Sequence, residues 1–240
     1  MSNFSDFVIE GGRLIKYSGA DKNAVIPEGV TAIESFAFKG CTGVLSIVIP
    51  ATVGEIGHYA VSGCCELEKI EVAEGNKKFF SAGNCVVDEY RRAVVLGCKS
   101  SVIPSDGSVE AIAEFAFAGC VALERIEIPS TVTFIGDYAF DGCYNLEDVT
   151  LPDSVTYLGR SAFEGCECFR SIVLPGSITC ISDHVFKDCT CLENVVASDE
   201  LISIGIGVFE GCGDELVITA PHLSNIEDYA VKNGIKVKLI

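Results

Sequence analysis

Val132-Thr-Phe-Ile-Gly-Asp-Tyr-Ala-Phe-Asp-Gly-Cys143, followed by Tyr-Asn-Leu-Glu-Asp-Val-Thr-Leu-Pro152, carries the pattern from which the whole chain is built. Cysteines recur at Cys41, Cys64, Cys120, Cys143, Cys166, Cys189 and Cys212, so five of the six intervals are 23 residues and the remaining one, 56, contains an insertion. Each interval starts at a proline corner, passes through Val-Thr-x-Ile-Gly and Ala-Phe-x-Gly-Cys, and closes with Leu-x-x-Ile-x-Leu-Pro. A repeat of 20 to 50 residues cannot bury its apolar face alone and does so by stacking on copies of itself, so the period predicts a solenoid.

Within one coil, Val30 and Ile33 are expected to point inward, with Phe38 in the middle and Val44, Ile47 and Ile49 closing the core. The glycine before each cysteine, with Asp188 replacing it once, fits a left-handed position at the end of a one-turn helix. Stacked coils would bring equivalent cysteine Cα atoms about 4.8 Å apart, but their parallel Cβ vectors keep the Cβ atoms farther apart than the usual ~3.8 Å of a disulfide. The seven repeat cysteines therefore read as free, inward thiols whose S–H groups donate to backbone carbonyls.

Phe7-Val-Ile-Glu-Gly-Gly-Arg-Leu-Ile-Lys-Tyr17 reads as a hairpin cap turning at Gly11-Gly12. In the long interval, Asn84-Cys-Val-Val87 and Ala93-Val-Val-Leu96 flank the polar Asp88-Glu-Tyr-Arg-Arg92 as a second hairpin. Like the first, it is followed by Val-Ile-Pro and a Phe-Ala-Phe run, which predicts a restarted solenoid with its strands kept in register. Asp106-Gly107 should bulge outward, and the last coils drift: Ala197 stands where the proline is expected and Glu215 where leucine is expected. Ser224 and Glu227 predict a capped helix over residues 225–232, followed by an edge strand with Lys236 and Lys238. The organisation is thus one solenoid over residues 1–240, with a hairpin cap (1–26), repeats (27–72), an irregular hairpin coil (73–103), repeats (104–221) and a C-terminal cap (222–240).

Hydrophobic residues make up 49% of the chain, enough for a continuous core. No uncharged apolar stretch approaches the roughly 20 residues of a membrane helix. The formal charge of −17 disfavours nucleic acid and anionic membranes as partners. Met1-Ser-Asn-Phe-Ser-Asp has no basic or apolar leader segment, so a complete chain is expected in the cytoplasm, with a secreted or cell-surface place as the alternative if a signal has been removed.

The unit Ile-Pro-x-x-Val-Thr-x-Ile-Gly-x-x-Ala-Phe-x-Gly-Cys-x-x-Leu-x-x-Ile-x-Leu-Pro, clearest in residues 129–151 and 152–174, resembles the repeat of BspA-like leucine-rich repeat proteins. The resemblance implies an α/β solenoid, a right-handed leucine-rich superhelix that is mostly β with short helical turns and carries a parallel sheet on its concave side. It also implies a recognition module, since family members best known for function are surface adhesins that bind host proteins.

Strand alternation turns the residues two and four before each corner outward onto that sheet. These are Ser46, Val48, Lys69, Glu71, Arg125, Glu127, Asp148, Thr150, Ser171, Val173, Asn194 and Val196, continuing to Val217 and Thr219, and they form the candidate partner-binding face. Beside them Glu68, Glu124, Glu147 and Glu193 make an acidic row interrupted by Arg170. Cys166-Glu-Cys168 and Cys189-Thr-Cys191 could hold a metal, but one thiol of each pair belongs to the inward column and the spacing is not that of a zinc knuckle. His58, His184 and His222 sit in different coils, with no nucleophile elbow or phosphate loop nearby in sequence. The expectation is a non-enzymatic module without cofactor or metal, binding a protein partner as a monomer or with weak self-association; a structural or self-associating rod, or an extracellular adhesin fragment, is the alternative.

Overall fold

The computed structural model describes residues 4–240, so Met1–Asn3 of the opening segment read above lie outside the described residues. The chain is a mostly β solenoid of about 10 turns with parallel sheets and very little helix. Each coil contributes a two-residue strand such as Phe134–Ile135, a turn, and a longer strand such as Asp148–Thr150. Equivalent strands pair in parallel with a one-coil offset, as Phe134 with Tyr157 and Arg125 with Asp148.

The turn between the two strands holds a ladder of its own: Phe117 N–H donates to Ala139 O and Phe140 N–H to Ala162 O, both at 2.8 Å. The expected one-turn helix is instead a run of tight turns, with Cys143 N–H bonded to Phe140 O at 3.2 Å. Two left-handed residues per coil make this possible. One is the expected glycine, with Asp188 at φ 57° taking its place; the other, not expected, is the residue two before the phenylalanine slot, which Val61 fills once: Phe36, Tyr59, Phe115, Tyr138, Ser161 and His184. Inside, Phe117, Phe140, Phe163, Phe186 and Phe209 stack ring on ring at 5.0 to 5.8 Å.

The cysteines stand against this column. Five of the seven repeat thiols reach back to the phenylalanine carbonyl of the preceding coil: Cys64 to Phe38 O at 3.1 Å, Cys143 to Phe117 O at 3.2 Å, Cys166 to Phe140 O at 3.3 Å, Cys189 to Phe163 O at 3.1 Å and Cys212 to Phe186 O at 3.2 Å. All 13 cysteines are free.

The inserted hairpin, Cys85–Asp88 with Ala93–Leu96, repeats the N-terminal one, Phe7–Glu10 with Arg13–Tyr17, bond for bond on its second strand. Glu34 N–H donates to Leu14 O at 2.9 Å and Ala113 N–H to Val94 O at 2.8 Å; Tyr17 N–H meets Ala37 O at 2.8 Å and Gly97 N–H meets Ala116 O at 2.9 Å. Cys41 and Cys120 donate to the carbonyls of Tyr17 and Gly97. A third antiparallel strand, Phe79–Ala82, joins Cys85–Asp88 through Gly83-Asn84, both at positive φ. The resulting meander separates two apolar cores: Phe79, Val86 and Leu96 belong to the first, and Cys85, Val87 and Val94 to the second.

Register across the insertion is kept only in part. Gly63 N–H bonds directly to Gly119 O at 2.9 Å, so the turn ladder passes the insertion, whereas the longer strands do not pair across it. Their sheet is divided into three blocks: Asn23–Val25 with Ser46–Ile49 and Lys69–Val72; Arg125–Glu127 with Asp148–Thr150; and Ser171–Val173 with Asn194–Val196, Val217–Ala220 and Lys236–Leu239. The second break coincides with Phe169, fully buried in the slot that Leu146 and Leu192 fill in neighbouring coils.

Two readings of the last coils are corrected. Ala197 is a core residue, 3% exposed, whose N–H bonds to Thr219 O as Leu174 N–H bonds to Val196 O, so Ser198 stands at the corner. Glu215 stays in solvent and Leu216 enters the core in its stead, its N–H closing a turn on Gly213 O. Asp106-Gly107 does bulge, held by Asp106 Oδ1 accepting from Ser108 N–H at 2.9 Å and Oγ at 2.6 Å. Ser224 caps the helix Asn225–Lys232 by accepting from Glu227 N–H, while the Glu227 carboxylate accepts from Leu223 N–H.

Candidate partner-binding face

The longer strands alternate as their sequence requires. Ile47, Ile70, Ile126, Val149, Ile172 and Val195 are buried, and the residues on either side point out. Lys69, Glu71, Arg125, Glu127, Asp148, Thr150, Ser171, Val173 and Asn194 are exposed, with Ser46, Val48 and Val196 half-buried. Parallel pairing sets them in two files. Ser46 lies beside Lys69, Arg125 beside Asp148, and Ser171 beside Asn194 and Val217; Val48 lies beside Glu71, Glu127 beside Thr150, and Val173 beside Val196 and Thr219. The twelve candidates thus fall into the three blocks rather than one unbroken face.

Several charges on this face have a nearby opposite charge. Lys69 Nζ is 2.7 Å from Glu71, Arg125 is 3.9 Å from Glu147, and Arg170 is 3.8 Å from Glu193, while Lys99 reaches both Glu66 at 3.0 Å and Glu68 at 3.5 Å. The acidic row is therefore relieved at three places, by Lys99, Arg125 and Arg170. Exposed pairs of this kind contribute little to stability, roughly 0 to 1 kcal/mol each, and leave the side chains available to a partner. Val173, 63% exposed, is the main apolar element of the third block.

Two features of the surface were not read from the sequence. A column of half-exposed rings follows the second left-handed position: Phe36 stacks on Tyr59 at 5.2 Å, Tyr59 packs tilted against Phe115 at 5.3 Å and Phe115 stacks on Tyr138 at 4.9 Å, with His58 from the neighbouring position lying on Phe115 at 4.0 Å. A second pair, Phe134 and Tyr157, stacks at 4.7 Å on the short strands. Aligning the repeats would have shown both, since each column occupies one repeat position. Tyr59 also donates to Asp141 Oδ2 at 2.5 Å across the insertion. Burial raises the Asp141 carboxyl above its ordinary range against the opposing effect of that bond, and burial together with the carboxylate pushes the Tyr59 phenol up. At Glu164 burial is outweighed by Lys187, 2.8 Å away, and by Ser161, so its carboxyl titrates low.

The remaining chemical candidates are dispersed. His58 lies on Phe115, His184 is 3.9 Å from Glu210 and His222 is 3.4 Å from Glu227. Cys166 and Cys189 are engaged with carbonyls in the core, whereas Cys168 is half-buried and Cys191 exposed. Among the described residues no group of three or more His, Cys, Asp or Glu side chains could hold a metal ion, and no helix is long and apolar enough to cross a membrane.

Against known structures, the chain resembles a leucine rich cell surface protein from Faecalibacterium prausnitzii at 28% identity and a TM-score of 0.69, over 88% of this chain and 62% of that one. It is similar to a Treponema pallidum leucine rich repeat protein at 25% identity and a TM-score of 0.53, over 99% and 97% of the two chains. A leucine-rich repeat protein from Eubacterium ventriosum, 20% identical with a TM-score of 0.61 over 79% of this chain and 64% of that one, shares the fold. The chain thus spans less than two thirds of the first and third of these proteins. No curated protein matches it. The family model described as BspA type Leucine rich repeat region matches in six copies over residues 16–83 and 100–238, leaving out the inserted hairpin. With its cysteine-to-carbonyl column, its phenylalanine stack and this match along most of its length, the chain belongs to the BspA-type leucine-rich repeat family.

Proposed function

We propose that the protein is a non-enzymatic recognition module that binds a protein partner through the outward files of its longer strands. The observation that carries this reading is the pairing register, which sets Lys69, Arg125, Asp148 and Asn194 side by side with their neighbours on a backbone fixed by the core beneath. A surface so ordered loses little conformational entropy on binding. The test is a pull-down with wild type and the Lys69→Glu, Arg125→Glu double variant. Loss of one or more partners from the variant supports the reading, and equal recovery of every partner overturns it.

A structural rod is the competing reading, supported by the unpaired outer edge of Lys236–Leu239. Light scattering over a concentration series separates the two, since a constant monomer mass removes the rod. On compartment, 13 free cysteines favour a reducing one, while the F. prausnitzii protein's description favours the cell surface. Labelling of the exposed Cys180 and Cys191 by a membrane-impermeant thiol reagent on intact cells decides for the surface, and labelling only after lysis for the interior.

A further inference from the structure

The first block of the longer-strand sheet begins with Asn23–Val25, which pairs in parallel with Ser46–Ile49: Asn23 beside Ser46, Ala24 beside Ile47 and Val25 beside Val48. Ser46 N–H donates to Lys22 O at 3.1 Å and Ile26 N–H to Val48 O at 3.0 Å, so residues 46 and 48 turn their backbone groups towards the preceding segment. The restarted module carries the same sequence feature, Ser100-Ser101-Val102-Ile103-Pro104, ahead of Arg125–Glu127. There the ladder is missing. Val102 N–H is taken by Gly83 O at 2.7 Å and Ser101 N–H by Cys98 O at 3.1 Å, and among the described residues no hydrogen bond joins 99–103 to 124–128. Between them lies a cleft of about 290 Å³ lined by Ser101, Val102, Ile103, Arg125, Ile126 and Glu127, among others. By repeat equivalence with residues 46 and 48, the backbone N–H and C=O groups of Arg125 and Glu127 face that cleft.

We propose that this cleft is a strand-accepting groove for an extended segment of a protein partner that reads acidic, small apolar, basic. The partner's backbone would take the place that Asn23–Val25 holds in the first module. Its central residue would lie beside Ile126 as Ala24, fully buried, lies beside Ile47, which calls for a small apolar side chain. The flanking residues would lie beside Arg125 and Glu127. Arg125 is 79% exposed and its nearest carboxylate, on Glu147, is 3.9 Å away, so an acidic neighbour is favoured there and a basic one at Glu127. This deepens the recognition reading above and rests on it.

The experiment is amide hydrogen exchange followed by NMR on the full chain, with the peptide acetyl-Ser-Glu-Ala-Lys-Ser-amide as probe. In the free protein the Arg125 and Glu127 amides are expected to exchange on the order of 100-fold faster than those of Ser46 and Val48. Millimolar peptide should slow them about tenfold. The charge-reversed peptide, with Lys and Glu exchanged, should leave wild type unaffected and protect the Arg125→Glu, Glu127→Arg double variant. Free-protein exchange as slow as at Ser46 and Val48 would show a closed ladder and overturn the groove. Open amides that neither peptide protects overturn the occupant, and with it the proposal. The free-protein arm involves no partner, so its failure leaves the pull-down reading standing, whereas failure of the pull-down removes both.

Discussion

A Cβ placed on Gly97 would lie 2.0 Å from Cε1 of Phe117, the first ring of the phenylalanine stack in the restarted module. The equivalent place in the first module is Tyr17, whose ring covers Phe38 at 5.1 Å, so one repeat position carries either a lid or a vacancy according to how the ring below it sits. Gly97→Ala is therefore expected to overpack the stack at a cost of about 1 to 3 kcal/mol, read as a lowered denaturation midpoint. The cysteine column makes a pH prediction. Burial pushes the thiols of Cys64 and Cys212 up to about 12, and that of Cys143 higher still. The folded chain thus holds these protons more tightly than the unfolded chain, whose thiols ionise near pH ~8.5. The contribution to stability is fully present below that value and is lost as pH rises towards about 12. Urea midpoints should be level from about pH 7 to 8 and fall above about pH 9, with a shallower fall in Cys143→Ala.

Among the elements, the longer-strand sheet shows where a repeat stops dictating structure. The alternation that buries Val149 and exposes Asp148 and Thr150 follows from a period of two and was legible in every coil. Whether neighbouring strands hydrogen-bond was not legible, because it depends on coil spacing, and that is set by side-chain volumes from different coils. Phe169 is the instance: it fills a leucine slot immediately before Ser171–Val173, and the ladder opens on that strand's preceding side, between Thr150 and Val173, while its other side stays paired with Asn194–Val196. Phe169→Leu is expected to draw the strands together and slow hydrogen exchange at Ser171 and Val173, with unchanged exchange arguing against this cause. The strand Phe79–Ala82 escaped for a different reason. Its turn, Gly83-Asn84, is a recognisable two-residue hairpin signal, but the more apolar pair of strands beside it drew the reading to one hairpin where there are two.

At the scale of the molecule, the meander over residues 79–96 belongs to both cores at once. Nearest-neighbour coupling in a repeat array then runs through it, so the full chain is expected to unfold in one transition by circular dichroism. Val86→Asp, which puts a carboxylate into the first core while sparing the second, should split that transition in two; a single, merely shifted transition would count against coupling through the meander. The domain outline was visible in the spacing of cysteines and prolines, because stacking forces every coil to repeat the same environment. The division into two cores was not, since it depends on which face of one hairpin meets which half. Besides its extra strand, the inserted hairpin differs from the N-terminal one in its apolar faces: the former has both on apolar neighbours, the latter one. A terminus and a coupler thus share one hydrogen-bonded hairpin plan, with the polarity of one side setting which it is. Changing that side is then expected to turn one into the other, which would make the length of such a rod adjustable by adding or silencing a start rather than by adding coils one at a time.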